Sequence, residues 1–180
     1  MKTLNLCFLS FVLIVVYSCS CNNDFARSSQ VAGNNFKASN KDLIYTYDSN
    51  IQLTRDNETI IPKHFCIRVP SDIKYYESIN SSDFGFYYSG KQIIFIKIDL
   101  ENKMPVADTI YQPTREQILE VLAHAQTSNN RSHSLNKIQI LDNRKHMIMQ
   151  RGAATILLVN IYPKKFDSFL EGIQQFQFIE

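Results

Sequence analysis

Alternating apolar and polar residues predict several half-buried β-strands between residues 42 and 162. In one such segment, Phe65, Ile67 and Val69 share a face and polar or small residues take the other. The pattern predicts strands over Asp42 to Tyr47, His64 to Pro70, Phe84 to Tyr88, Gln92 to Leu100, Lys137 to Leu141, Arg144 to Gln150 and Ala153 to Tyr162. The last of these is apolar on both faces, which predicts a central strand covered on both sides.

Turn residues separate these strands. Ser89-Gly90-Lys91 lies between two of them, and Gly90 supplies the positive φ that a tight hairpin turn needs. Asp142-Asn143 and Arg151-Gly152 provide the two turns of a C-terminal meander. The strands are therefore predicted to pair mainly as antiparallel neighbours.

Two segments have a helical period. The first runs from Arg115 to Gln126, with Thr114 as N-cap and Gln117 at the capping-box spacing. Its predicted buried stripe is Ile118, Leu119, Val121, Leu122 and Ala125. The second helix has its stripe at Phe166, Phe169, Leu170 and Ile173, before a final strand that begins with Phe176, Phe178 and Glu180. Together these elements predict an α+β fold, a mainly antiparallel sheet flanked by helices, in one domain over residues 41–180.

The N-terminal segment has a different composition. Leu4 to Tyr17 is an apolar run that follows Lys2, and it is shorter than the roughly 20 residues of a bilayer span. It predicts a signal peptide over residues 1–18. Residues 19–40 are mostly polar or small and lack a hydrophobic period, which predicts a flexible tether.

Two cysteines follow the apolar run. Cys19 has Ser18 before it and Val16 three positions back, whereas Cys21 would have Ser18 at the aliphatic position. The stretch resembles a bacterial lipobox, although Tyr17 is bulkier than usual. The resemblance implies diacylglyceryl transfer to the Cys19 thiol, cleavage after Ser18 and acylation of the new amino terminus. The membrane would then be a partner through the lipid anchor, with the domain in the cell envelope, at the outer membrane. An ordinary cleaved signal with incidental cysteines, or an uncleaved anchor helix, stays open.

After such processing Cys21 and Cys66 would remain as thiols. A disulfide between them is one alternative in an oxidising compartment. The strand pattern favours Cys66 as a small buried apolar residue.

The order of elements carries a second resemblance. "RVPSD" (Arg68 to Asp72) ends an early strand, a hairpin leads to a helix, and "FDSFLEGIQQ" runs into "FQFI" after the meander. This order resembles the PsbP-like α/β/α sandwich over about residues 60–180. The chain lacks the tryptophan often found soon after the early proline of that family and has Ile73 to Tyr76 there. The resemblance implies a non-catalytic binding platform, with no active-site residues to assign.

Charge and motifs exclude several classes of function. The chain has 19 basic and 17 acidic residues, a formal charge of +2, without a dense basic run. No nucleic-acid partner is therefore expected. No phosphate-binding, dinucleotide-binding or nucleophile-elbow motif is present, and no cofactor is expected. The histidines fall on separate elements, which gives no metal site: His64, His124, His133 and His146.

Two pairs of residues merit comparison with catalytic sites. His64 and Cys66 share a strand face, but they are separated by roughly 6.5 Å along the strand and have no carboxylate nearby in sequence. Glu116 and Glu120 are one helical turn apart, and a solvated face near the helix start is the better interpretation. Neither pair predicts a catalytic residue.

Four tyrosines near the first hairpin are the predicted binding residues: Tyr75, Tyr76, Tyr87 and Tyr88. Exposed tyrosines can bind protein or sugar, and the alternative is that tyrosine simply suits half-buried strands. The leading hypothesis is a non-enzymatic lipoprotein that binds a protein partner through these residues or through a sheet edge. An immunity or chaperone lipoprotein for a secreted toxin is the first alternative. A hydrolase of envelope glycans that uses Asp83, Asp99 and Glu101 is the second.

Overall fold

The computed structural model describes residues 35–48, 53–55, 58–60, 63–79, 81–101, 107–127 and 138–179. For residues 53–55, 58–60 and 124–127 it describes the backbone alone. The predicted signal peptide, Cys19, Cys21 and His133 lie outside these residues, as does the tether before residue 35. Neither helix in the described part of the chain is long and apolar enough to cross a bilayer.

Antiparallel strands dominate the described residues, which confirms the α+β class. The strands are β1 (Phe36–Ser39), β2 (Asp42–Tyr47), β3 (Leu53–Arg55), β4 (Glu58–Ile60), β5 (Phe65–Pro70), β6 (Ile73–Ser78), β7 (Asp83–Tyr88), β8 (Ile93–Ile98), β9 (Thr109–Tyr111), β10 (Lys145–Arg151), β11 (Ala154–Ile161) and β12 (Gln177–Phe178). The helices are α1 (Arg115–Thr127) and α2 (Phe166–Gln174). Every strand pair is antiparallel.

The strands form two main sheets and one small hairpin. The four-stranded sheet has the order β1-β2-β5-β12, and the six-stranded sheet has the order β6-β7-β8-β11-β10-β9. Strands β3 and β4 pair with each other. The prediction of a central apolar strand is confirmed, because β11 lies between β8 and β10 and residues 156–161 are buried.

The main core lies between the two sheets and includes the apolar face of α2. The four-stranded sheet contributes Tyr45, Phe65, Ile67 and Val69, the six-stranded sheet contributes Phe84, Phe86, Ile94, Ile96, Ile156 and Leu158, and α2 contributes Phe166, Phe169 and Ile173. The predicted stripe of α2 is thus confirmed, with Leu170 half-buried beside it. The Tyr45 and Tyr76 hydroxyls form a hydrogen bond across the core. Burial raises the pKa of Tyr76 to about 12, and it raises the pKa of Tyr45 in the same direction.

Helix α1 covers the other face of the six-stranded sheet. Ile118 and Leu122 pack in a second cluster with Phe95 and Leu157. The predicted capping box is present: Gln117 N donates to Thr114 Oγ1 at 3.3 Å, and Thr114 N donates to Gln117 Oε1 at 2.9 Å. Leu119 is 47% exposed, so its assignment to the buried stripe was wrong. It lies about 100° around the helix from Ile118, outside the stripe that Ile118 and Leu122 share.

The β7–β8 turn is confirmed at Ser89-Gly90-Lys91. Gly90 has φ +74°, as predicted, and Lys91 also has a positive φ of +63°. A Cβ atom on Gly90 would lie 2.6 Å from the Tyr162 hydroxyl oxygen. The backbone angle therefore favours glycine at this position, and a larger residue would also have to displace the Tyr162 ring.

The structure corrects the N-terminal boundary. Residues 36–39 form β1 on the edge of the four-stranded sheet, so the prediction of a tether through residue 40 was wrong for them. Phe36 is the only large apolar residue of this strand. The centroid of its ring lies 5.0 Å from that of the Tyr45 ring and 5.5 Å from that of the Tyr76 ring. One large apolar residue in four positions gives no alternation of apolar and polar residues, so the sequence pattern did not predict this strand.

Other boundaries also differ. Residues 138–141 belong to no strand, so the predicted strand from Lys137 to Leu141 was wrong, although Ile138 and Ile140 pack in the second cluster. The β10–β11 turn is Gly152-Ala153, one residue later than predicted. The closing strand β12 is short, with Phe176 buried just before it. The pattern did not predict β3, β4, β6 or β9. For β6 the reason is a bulge that interrupts the alternation, and for β9 it is that all three residues are exposed.

Candidate functional site

The four predicted binding tyrosines divide between the two faces of the six-stranded sheet. Tyr75 is 44% exposed and Tyr87 is half-buried, and both lie on the outer face. Tyr76 and Tyr88 are only 3% and 5% exposed and belong to the main core. Their assignment as binding residues is therefore corrected. A register shift between Ile73 and Tyr75 places Tyr76 on the inner face, and the pleat of β7 does the same for Tyr88.

Tyr75 and Tyr87 form a stacked pair on the outer surface. They are opposite each other in the β6–β7 register, with ring centroids 5.4 Å apart and an interplanar angle of 38°. The Tyr87 hydroxyl donates a hydrogen bond to Glu77 Oε2 at 3.2 Å. Partial burial, and then the Glu77 carboxylate, raise the pKa of Tyr75. The Tyr75 phenol is therefore held in the neutral, hydrogen-bonding form.

Gly85 gives the Tyr87 ring its position. Gly85 lies on the same face as Tyr87, opposite Glu77 in the register. A Cβ atom on Gly85 would lie 2.8 Å from the ring and from the hydroxyl oxygen of Tyr87. The missing side chain lets the ring lie along the strand toward Glu77.

A cavity of about 180 Å³ lies beside Tyr87. Its apolar walls include the Tyr87, Ile93 and Ile138 side chains. At the rim, Lys91 Nζ donates to Gln139 Oε1 at 2.9 Å, which links the β7–β8 turn to residues 138–141. We call this continuous surface the tyrosine cleft: Tyr75, Tyr87, Ile93 and Ile138, with Lys91 and Gln139 at the rim.

Asn160 fixes the wall of the tyrosine cleft. Its side chain is fully buried, and its backbone has φ +57°. The amide Oδ1 accepts from Leu141 N at 2.9 Å, while Nδ2 donates to the carbonyl oxygens of Gln139 at 2.8 Å and Lys91 at 3.2 Å. The side chain thus takes the part that a neighbouring strand would play for residues 138–141.

Two neighbouring groups support this arrangement. Asn160 N donates to His146 Nδ1 at 3.3 Å, and desolvation lowers the pKa of His146, which favours the neutral ring that can accept. Gln92 is 1% exposed. Its side-chain Nε2 donates a hydrogen bond to Ser89 O, and its Oε1 accepts one from Tyr162 N. The cleft is therefore held in shape by buried hydrogen bonds before any ligand binds.

Tyr88 differs from Tyr76 in a way that stability measurements can detect. The Tyr88 hydroxyl is buried and has no hydrogen-bond partner among the described residues, and burial raises its pKa. We expect Tyr88→Phe to change the free energy of unfolding by less than about 0.5 kcal/mol, or to raise it, because a desolvated group is removed. Tyr76→Phe should lower it by about 1 kcal/mol, because the bond to Tyr45 is lost. Urea unfolding of both variants makes the comparison, and a larger loss for Tyr88→Phe than for Tyr76→Phe would contradict it.

Cys66 and His64, which share a strand face, have different partners in the structure. Cys66 Sγ accepts a hydrogen bond from Gln177 Nε2 at 3.2 Å and makes none with His64. Cys66 was predicted as a small buried apolar residue and is half-buried in the structure. His64 Nδ1 lies 3.2 Å from Asp48 Oδ1, a carboxylate that sequence reasoning missed because it is distant along the chain.

The carboxylates considered for catalysis are exposed on a helix, buried, or hydrogen-bonded to the neighbouring backbone. Glu116 and Glu120 are exposed on α1, and hydrogen bonds at the helix start lower the pKa of Glu116. Asp83 is 4% exposed, and Asp99 Oδ1 accepts from Glu101 N at 3.1 Å.

Metal ligands and known relatives give no further assignment. In the ranges that the structure describes, no three His, Cys, Asp or Glu side chains are grouped so as to hold a metal ion. Comparison of the chain with known proteins gives no match to a family model, to a curated protein or to a solved structure.

Proposed function

We propose that the protein is an envelope lipoprotein, anchored through Cys19, whose domain binds a protein partner at the tyrosine cleft without catalysing a reaction. The observation that carries the proposal is the exposed Tyr75 ring stacked on Tyr87 beside a preformed cavity. Tyrosine provides a large apolar ring with a polar end and few rotatable bonds, and it is enriched among residues that dominate binding energy.

The size of the cavity favours a protein over a small ligand. Small-molecule pockets are typically about 300–1,000 Å³ and enclose most of the ligand. The cavity beside Tyr87 is about 180 Å³, and the exposed ring of Tyr75 stacks on Tyr87 at its edge. A small pocket within a wider aromatic surface is the usual receptor for one anchoring side chain of a protein.

Sequence and fold support the rest of the proposal. The lipobox at Cys19 would place the domain at the outer membrane, with the residues after it as a tether. Two features support a PsbP-like order of elements, namely α1 on the outer face of the six-stranded sheet and α2 leading into the closing strand β12, whereas the inner face of this sheet packs on the four-stranded sheet as well as on α2. The carboxylates and the cysteine considered above give no catalytic set.

Site-directed photocrosslinking in intact cells tests the proposed surface. A photoreactive phenylalanine analogue at position 75 is compared with the same analogue at position 111. Tyr111 is 36% exposed on β9, at the opposite edge of the same sheet, and is the matched control. We expect one discrete adduct from position 75 and none from position 111.

A second substitution links the adduct to the cleft. Tyr87→Ala in the protein that carries the analogue at position 75 should lower the adduct yield at least about fivefold, because a central aromatic contact is lost. Adducts of equal yield from positions 75 and 111, or no adduct from position 75, would refute the proposed surface.

A further inference from the structure

Lys91 at the rim of the tyrosine cleft and Glu77 beside it differ in how they are paired within the protein. Glu77 Oε2 accepts a hydrogen bond from the Tyr87 hydroxyl, which occupies one carboxylate oxygen within the protein. Lys91 is exposed, and the one hydrogen bond of its ammonium group within the described part of the chain goes to the neutral amide of Gln139. An ammonium group has three donors, so two N–H groups of Lys91 are left for a ligand.

The charge of Lys91 is not compensated locally. No carboxylate pairs with Lys91 among the residues that the structure describes, whereas Lys165 and Arg151 pair with Asp72 and Asp108. A cation at the rim of an apolar cavity selects a ligand that combines an apolar group with an anionic one.

The cavity limits the apolar group to one side chain. An apolar cavity of about 150 Å³ holds one benzene molecule. The cavity beside Tyr87, at about 180 Å³, therefore accommodates a group of the size of a leucine or phenylalanine side chain. Tyr75 extends the apolar surface beyond the cavity for contacts on one side of that anchor.

We infer that the tyrosine cleft binds an acidic peptide segment, which inserts one large apolar side chain beside Tyr87 and places a neighbouring carboxylate on Lys91. This inference rests on the proposed function and gives the chemistry of the partner. Gln139 contributes by holding the Lys91 side chain at the rim before binding, so less side-chain entropy is lost when the carboxylate arrives.

Selection from a random peptide library tests the inference directly. Phage that display random 12-residue peptides are selected on the full-length lipidated protein, immobilised in detergent micelles. We expect the enriched peptides to share one leucine, phenylalanine or similar residue with Asp or Glu within two positions of it. Selection on the Lys91→Glu variant should instead enrich Lys or Arg at those positions.

Affinities of one enriched synthetic peptide, measured by fluorescence anisotropy, give the quantitative test. Lys91→Glu should weaken binding about tenfold, because a rim attraction becomes a repulsion. Gln139→Glu should weaken it about threefold, because it gives Lys91 a carboxylate partner within the protein. Lys37→Glu makes the same change in net charge on the other sheet and should have no effect.

These variants are expected to fold. The hydrogen bond that Lys91 makes to Asn160 uses the backbone carbonyl, so a new side chain at position 91 leaves it in place. Thermal unfolding of each variant checks this point. Ile138→Trp, which would fill the cavity from its wall, provides a second measurement, and it should abolish peptide binding while Lys91 remains.

The outcomes separate the inference from the proposed function. Peptides that require Tyr75 and Tyr87 but bind Lys91→Glu as tightly as the wild type would overturn the inference and leave the binding module intact. Peptides that bind Tyr75→Ala and Tyr87→Ala as well as the wild type, or no enriched peptides at all, would overturn both.

Discussion

Asn160→Ala is expected to lower the free energy of unfolding by about 4 kcal/mol, a large fraction of the roughly 5–15 kcal/mol typical of a domain. The substitution removes three hydrogen bonds that join β11 to Leu141, Gln139 and Lys91. Backbone groups left without a partner cost about 1 kcal/mol each or more. Alanine at φ +57° adds about 1 kcal/mol, because asparagine tolerates the left-handed region better.

Asn160→Gly separates the two contributions. Glycine accepts a positive φ without steric cost but makes none of the side-chain hydrogen bonds. We expect a loss of about 3 kcal/mol for glycine, so the difference from alanine, about 1 kcal/mol, measures the backbone conformation. Chemical denaturation of the three proteins gives both values. Equal stability of the wild type and Asn160→Gly would show that the three hydrogen bonds contribute nothing.

The second large effect is expected at Cys19, the proposed site of the lipid anchor. Cys19→Ala should lose all acyl mass and keep residues 1–18, whereas Cys21→Ala should be processed and acylated like the wild type. The reason is that only Cys19 has a small residue before it and an aliphatic residue three positions back. Each buried CH₂ of an acyl chain contributes about 0.8 kcal/mol to membrane binding, so loss of the chains removes the anchor.

Intact mass spectrometry of detergent-extracted protein measures the acyl mass and the cleavage site together. A wild-type protein without acyl mass would refute the lipobox. The protein would then be an exported domain whose Cys21 and Cys66 are open to pairing, and the envelope part of the proposed function would need replacement.

The sequence pattern predicted strands and helices correctly where the buried positions follow the period of a strand or of a helix. Strand β5 shows the predicted alternation, with Phe65, Ile67 and Val69 buried, and α2 buries its predicted stripe. The Ser89-Gly90-Lys91 turn followed from one glycine. Each of these features depends on residues that are neighbours in sequence, where the periods of 2 and 3.6 residues apply.

The candidate site was only half predictable. The sequence indicated Tyr75 and Tyr87, but it could not separate them from Tyr76 and Tyr88, because a bulge in β6 changes which residues face the core. The cavity depends on contacts between distant segments: Lys91 and Gln139 are 48 residues apart, and Asn160 and Lys91 are 69 apart. Periodicity within a short stretch of sequence cannot predict contacts between such distant residues. Nothing in the sequence distinguishes the buried Asn160 from an exposed polar residue near the end of a strand.

Residues 138–141 form a wall of the tyrosine cleft without belonging to a strand ladder. The Asn160 side chain of β11 bonds to the backbone at Gln139 and Leu141, so a new side chain at Ile138 or Gln139 removes neither these bonds nor any ladder hydrogen bond of the sheets. Under the proposed function, variation at Ile138 and Gln139 would change ligand preference while the backbone bonds to Asn160 stay in place. Divergence in partner choice among descendants of this chain would then concentrate at these two positions, with Asn160 retained.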